Sequence, residues 1–216
     1  MPLTLHQRRI GLTGGIATGK STVAALLEER FRLPVLDADR FAREALAPGS
    51  TGAKAVLARY GERVRAQRDG PRVAGDPGPT LDRAALGRIV FADAAERVWL
   101  EGLVHPLVRA RFAADLAALA AAPVVVLMIP LLFEAGLEGL CSEVWLVDCG
   151  AAEQLRRLQA RDGLAETEAR ARIAAQWPMA RKRARADVVI DNSCSTSHLL
   201  LQLNDLLPSE RARRSR

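Results

Sequence analysis

Gly14-Gly15-Ile16-Ala17-Thr18-Gly19-Lys20-Ser21-Thr22 is the stretch on which the reading of this chain turns. It fits the spacing G-x-x-x-x-G-K-[ST], in which glycines let successive backbone N–H groups converge on one anion. Just before it, Arg9-Ile10-Gly11-Leu12-Thr13 is a short apolar run of the kind that makes a buried strand. Just after it, Val23, Leu26, Leu27 and Phe31 recur at helical spacing. The glycines therefore stand where a strand hands over to a helix, which is the context the motif requires. Gly14 and Gly19 can take backbone angles that a Cβ forbids, and a helix beginning near Lys20 adds its positive N-terminal end. Lys20 is placed to reach the β- and γ-phosphates of a nucleoside triphosphate, and the Ser21 hydroxyl to ligate Mg²⁺. Only three lysines, Lys20, Lys54 and Lys182, stand among 31 basic residues, yet the motif's basic position carries Lys.

The surrounding composition narrows the class. A chain of 216 residues suits one α/β domain with insertions. Its longest apolar run, Pro123 to Phe133, falls short of the roughly 18 residues needed to span a bilayer, and the first residues, Met1 to Ile10, carry no signal-peptide core. Cys141, Cys149 and Cys194 are odd in number and lack C-x-x-C spacing, so they read as reduced thiols of a cytoplasmic protein. A net charge of +6 allows nucleic acid or an anionic small molecule as partner. Much of the excess lies between Arg156 and Arg185 and in a tail, Arg211 to Arg216, expected to be disordered. Aromatic residues make up only 4%, and no basic stripe is interleaved with stacking residues, which argues against nucleic acid.

Working outward along the chain, Leu33-Pro34-Val35-Leu36-Asp37-Ala38-Asp39 reads as a second strand ending in two aspartates. The carboxyl ends of parallel strands line the ligand crevice, so one aspartate is expected to face the phosphates and the other to cap a helix starting near Arg40. Residues 53–122 are dominated by helical periodicity, with His105-Pro106 expected to interrupt one helix. Ala66 to Pro79 is Gly/Pro-rich and aperiodic, a surface excursion. Val124 to Ile129 reads as a central strand covered on both faces, leaving through Pro130-Leu131-Leu132-Phe133-Glu134, either core padding or a wall of the substrate pocket. Glu143–Asp148 and Asp187–Asp191 complete five strands, alternating with helices as a parallel sheet requires. Between these last two strands, Gln154, Arg157 and Arg161 share one helical face, where the arginines can close over ATP and stabilise a transferring phosphoryl group.

No N-K-x-D, no D-x-x-G after the loop and no L-S-G-G-Q is present, which leaves a small-molecule kinase rather than a switch or a transporter motor. From Gly11 to Asn192 the sequence resembles the dephospho-CoA kinase family. The resemblance rests on Gly11 to Ile16 leading into Gly19 to Thr22, on Asp37-Ala38-Asp39 with Ala42-Arg43, and on Leu81-Asp82-Arg83, Leu86-Gly87, Phe91 and Leu100-Glu101 with His105-Pro106. It continues through Pro130 to Glu134, Gln154, Arg157 and Arg161-Asp162, and ends on Gln176, Ala186-Asp187 and Ile190-Asp191-Asn192.

The resemblance implies a P-loop kinase core (1–52, 123–150, 186–208), a mainly helical insertion that binds the CoA portion (53–122) and an Arg-rich helical lid (151–185). It implies ATP and Mg²⁺ as cofactors, and dephospho-CoA as a substrate phosphorylated on its ribose 3′-hydroxyl, with no nucleic acid or membrane partner. Asp39 is implied as the carboxylate facing that hydroxyl, with Lys20, Arg157 and Arg161 stabilising the transfer. His105 and Pro130 to Glu134 are implied on the substrate side. Two departures stand out: the stretch from Ala66 to Pro79 is longer than usual, and Met128 occupies a place where many members have Asp.

Overall fold

The computed structural model describes residues 7–66 and 78–207; most of the Gly/Pro-rich stretch, and the basic tail, lie outside them. In chain order the elements are β1 (Arg8–Gly14), α1 (Lys20–Glu29), β2 (Val35–Asp37), α2 (Ala38–Ala45), α3 (Thr51–Tyr60), α4 (Arg83–Ala92) and α5 (Ala94–Ala118). They continue as β3 (Val124–Met128), β4 (Glu143–Asp148), α6 (Ala151–Asp162), α7 (Glu166–Ala174), α8 (Met179–Arg183), β5 (Val188–Asp191) and α9 (Thr196–Leu206). Two compact units result: Met1–Asp37 with Leu119–Arg216, and Ala38–Ala118. The helical unit thus begins at Ala38, ahead of residue 53, and the Arg-rich helices belong to the sheet-bearing unit.

The sheet has five strands in the order β2-β3-β1-β4-β5, all parallel. Strand β1 lies at its centre, with Ile10 beside both Val126 and Glu143. The chain leaves β1 toward β2 and β3 on one side and later fills β4 and β5 on the other, so the strand order reverses at β1. In open parallel sheets such a switch opens a crevice at the strands' carboxyl ends. Strand β1 ends there at Gly14. One face of the sheet packs Ile10, Leu12, Val126, Trp145 and Val147 against Val23 and Leu27 of α1 and Leu199 and Leu203 of α9. Gly11 faces the other way, where a Cβ would come within 2.6 Å of Cys141 Sγ and 2.8 Å of Leu132 Cδ1. Burial of its sulfur, with the nearby Glu138 carboxylate adding to it, pushes the Cys141 thiol up to about 12.

The second aspartate departs from expectation. Strand β2 is only three residues long and closes on Asp37, so Asp39 lies in the first turn of α2 rather than at a strand end. An acidic side chain there is favoured by the partial positive charge of the helix N-terminus.

The helical unit is built on aromatic contacts. Phe41 meets Phe112 edge-on at 4.9 Å, and Tyr60 meets Trp99 in the same manner at 5.5 Å. Ser50 and Asp82 cap α3 and α4 by accepting from the N–H groups of Ala53 and Ala85. Pro106, expected to break its helix, instead lies inside α5. A proline in a helix interior costs about 3 kcal/mol, while each large apolar side chain buried contributes about 1.5–3 kcal/mol. Val108, Phe112 and Leu116 on one stretch of α5 are buried, and Trp99, Leu100 and Leu103 on the other pack against a second cluster. Packing on both sides of the proline outweighs its local cost. His105, Pro106 and Gly102 are all exposed, so the carbonyl that the ring deprives of a partner meets water.

Candidate active site

The site is built from the turn between β1 and α1. Gly19 stands at the head of α1 in the left-handed region, at φ 93°, and Ala17 is also left-handed at φ 60°. Alternation of this kind curls the backbone so that its N–H groups face one concavity. The cradle has no spare room: a Cβ on Gly19 would fall 2.0 Å from Asn192 Nδ2, and one on Gly15 2.4 Å from Gln154 Nε2. Lys20 folds back over the loop, its Nζ donating to the carbonyls of Gly14 at 3.0 Å and Gly15 at 2.7 Å. Thr18 is fully buried and its hydroxyl donates to the same Gly15 carbonyl at 2.9 Å. Ser21 and Thr22 stand exposed in the first turn of α1.

Side chains from distant parts of the chain hold this loop from outside. Gln154 on α6 donates from Nε2 to the Ile16 carbonyl at 2.9 Å, and Gln176 accepts the Ile16 N–H at 2.8 Å. Asn192, directly after β5, donates to the Thr18 carbonyl at 2.9 Å. Arg157 donates to the Asn192 carbonyl at 2.9 Å and to Glu153 at 2.7 Å, and its guanidinium would lie 3.6 Å from a Cβ on Gly19. Glu153, bonded to Arg156 and Arg157, is held down to about 2. Gln154 and Asn192 are nearly buried, so each amide is committed to these partners.

The two arginines read as one face part company. Arg157 reaches the loop, whereas the Arg161 guanidinium pairs with Asp162 at 2.7 Å on an exposed surface. The spacing puts both on the same side of α6, but Arg161 lies a full turn further along and the adjacent carboxylate takes it. Five more arginines of this region pair with carboxylates: Arg156 with Glu153, Arg170 with Glu166, Arg172 with Asp162, Arg183 with Asp148 and Arg185 with Glu138.

The segment after β3 forms a second wall of the same unit. The Thr13 hydroxyl donates to the Pro130 carbonyl, Leu132 and Phe133 are buried, and Leu131 is exposed. The Phe133 ring lies parallel to Trp177, centroids 6.3 Å apart, with the Arg181 guanidinium over Trp177. Glu134 Oε1 accepts the Trp177 N–H at 3.0 Å and pairs with the fully buried Lys182 at 2.7 Å. Burial alone would raise the Glu134 pKa, but Lys182 and the backbone N–H donors outweigh it and hold the carboxyl below its ordinary value.

Met128 ends β3 beside Asp37 of β2. Asp39 and His105 belong to the helical unit, where both are exposed. Gln176, Asn192 and Lys182 carry no local signature of their contacts; only their place in the family-like order marks Gln176 and Asn192. The arrangement fits a polyphosphate: a concave loop with no space for side chains, an ammonium inside it and a helix N-terminus behind it. Among the described residues, no helix is long and apolar enough to cross a membrane.

Comparison with known proteins agrees with this geometry. The family model described as dephospho-CoA kinase matches residues 8–198. A dephospho-CoA kinase of Synechococcus sp. (strain CC9605) is 61% identical over 186 residues, covering 86% of this chain and 85% of the relative. Among solved structures, TT1252 from Thermus thermophilus superposes with a TM-score of 0.77 at 40% identity, covering 94% of this chain and 97% of its own. Dephospho-CoA kinase from Campylobacter jejuni shares the fold, with a TM-score of 0.64 at 23% identity over 92% of this chain and 96% of its own. With most of its length matched by that family model, the chain belongs to the dephospho-CoA kinase family.

Proposed function

We propose that this protein transfers the γ-phosphoryl group of ATP to the ribose 3′-hydroxyl of dephospho-CoA, yielding coenzyme A and ADP. The observation that carries the reading is the cradle at the head of α1, with Lys20 Nζ already inside it on the Gly14 and Gly15 carbonyls. Phosphoryl transfer asks for positioning and charge stabilisation more than covalent chemistry, and such a cradle supplies both. The amides of Gly14 to Thr22 hold the β- and γ-phosphates, and Lys20 exchanges its two carbonyl partners for phosphate oxygens. The Ser21 hydroxyl, exposed in the first turn of α1, would hold Mg²⁺, which would supply positive charge to offset that of the phosphates. Arg157 is directed at the Gly19 end of the loop by Asn192 and Glu153, and stabilises charge on the group in flight. Arg161 joins it on exchanging Asp162 for phosphate. Asp39 orients the 3′-hydroxyl and accepts its proton, while His105 and Pro130 to Glu134 serve the acceptor side. The substrate is a small molecule rather than nucleic acid, because aromatic residues make up only 4% of the chain and the basic run is not interleaved with platforms for stacking bases.

Offering ATP with dephospho-CoA, AMP, CMP and pantetheine in separate reactions tests this. Phosphorylated product is expected with dephospho-CoA; product from AMP or CMP alone, or ATP hydrolysis driven by RNA or DNA, would refute it.

A further inference from the structure

Two amide side chains, Gln154 and Asn192, each donate to a carbonyl of the loop, on Ile16 and Thr18. A trans peptide holds its C=O and the following N–H antiparallel. Fixing the Ile16 carbonyl toward α6 therefore turns the Ala17 N–H the opposite way, and fixing the Thr18 carbonyl toward Asn192 does the same for the Gly19 N–H. The neighbouring peptide shows where the opposite side leads. Gln176 takes the Ile16 N–H, and the Gly15 carbonyl of that same peptide points away from Gln176 onto Lys20 Nζ and the Thr18 hydroxyl. At that peptide, the side away from the bracing side chain is the side of the Lys20 ammonium.

We infer that Gln154 and Asn192 are positioning residues that aim the Ala17 and Gly19 amides, one each, at the phosphates of the bound nucleotide. Neither side chain touches the nucleotide in this role; each acts through one peptide plane. Chemistry fixes the sense of both contacts, since a carbonyl takes a hydrogen bond only from a donor and the donor of each side chain is its amide nitrogen. Both are nearly buried, and the space a Cβ would need at Gly15 and Gly19 is filled by these same two nitrogens. Glycine at those two positions is thus required by the braces as well as by the anion. The loop would otherwise be free to turn either peptide over, leaving a carbonyl where an amide is needed. The inference rests on the proposed nucleotide role of the loop.

Two variants that keep bulk but lose the donor, Gln154→Met and Asn192→Leu, test it, with ADP as probe and ¹⁵N labels on alanine and glycine. In the wild-type protein the Ala17 and Gly19 amide protons are expected to shift downfield when ADP is added. Gln154→Met should abolish the Ala17 shift and spare that of Gly19, and Asn192→Leu should do the reverse. Each should weaken ADP binding about tenfold to a hundredfold, the range of one hydrogen bond to a charged group. Gln154→Glu and Asn192→Asp, closer in shape and equally without a donor, give the same pairing if the apolar variants fail to fold. Retention of both shifts and of ADP affinity in the variants overturns the inference. So does loss of both shifts together in either variant, which would make the side chains general supports of the loop. Absence of any shift in the wild-type protein would instead refute the nucleotide reading beneath it.

Discussion

Lys182→Met should be among the costliest single substitutions in the sheet-bearing unit. Lys182 is fully buried, its Nζ lies 2.7 Å from Glu134 Oε1, and Glu134 Oε2 has no hydrogen-bond partner among the described residues. Removing the ammonium leaves a carboxylate that is 16% exposed and keeps the Trp177 N–H. Breaking a buried pair from one side costs about 3–5 kcal/mol. The remaining N–H and partial access to water place this case near the lower end, about 3 kcal/mol. For a chain of this size that corresponds to a fall in Tm of about 6–12 °C. Lys182→Met/Glu134→Leu should recover all but about 1 kcal/mol, the loss of an acceptor for the Trp177 N–H.

The two proteins should also differ in their response to pH. In the wild type the Glu134 pKa is depressed below its ordinary 4.5, so its contribution is present above that value and lost as pH falls through the lowered one. Without Lys182, burial dominates and the folded pKa rises, so the penalty is greatest at neutral pH and shrinks on acidification. Thermal melts of wild type, single and double variants at several pH values between about 3 and 7.5 measure both effects. A single variant within about 1 kcal/mol of wild type, or a double variant no more stable than the single, would refute the reasoning.

At the loop, Lys20→Ala should lower kcat by at least 10²–10³-fold, roughly the loss of one preorganised charge donor, with an unchanged circular dichroism spectrum; near-normal turnover would contradict its role. Arg157→Lys should lower kcat more than it raises KM for ATP, because lysine lacks the fork that spans Glu153 and the Asn192 carbonyl. Arg161→Lys should have the smaller effect, and steady-state kinetics showing the reverse order would place the second arginine at the reaction. Asp39→Asn should preserve stability and reduce kcat by roughly 10²–10⁴, the range of a general base, with Asp37→Asn costing clearly less. Inactivity of Asp37→Asn beside a nearly normal Asp39→Asn would assign the base to Asp37.

Much of this architecture is legible in the sequence because its signals are local. The glycines of the loop are bounded by an apolar run and a helical period, and β1 and α1 form on either side. The run Val124 to Ile129 is continuous because β3 is an inner strand, covered on both faces. Local signals fail where tertiary contacts decide. Pro106 is a local helix breaker overruled by packing on both sides of it. Asp39 follows a strand that stops at Asp37, and no pattern in the residues themselves separates a strand's last pleat from a helix's first turn. Gln176 and Asn192 reach loop residues 160 and 174 positions away. An amide side chain carries no charge or periodicity to announce such a contact. Helical spacing likewise grouped Arg157 with Arg161, although only the first has its carboxylate one turn behind it, at Glu153, and so points back to the loop.

The central claim is a phosphoryl transfer to one particular oxygen. Its most direct test is ³¹P NMR with mass spectrometry on the product formed from ATP, Mg²⁺ and dephospho-CoA. The account predicts a single added phosphate on the ribose 3′-oxygen, with one ADP released for each coenzyme A formed. Release of ADP with dephospho-CoA left unmodified, or phosphate added at another position, would contradict it.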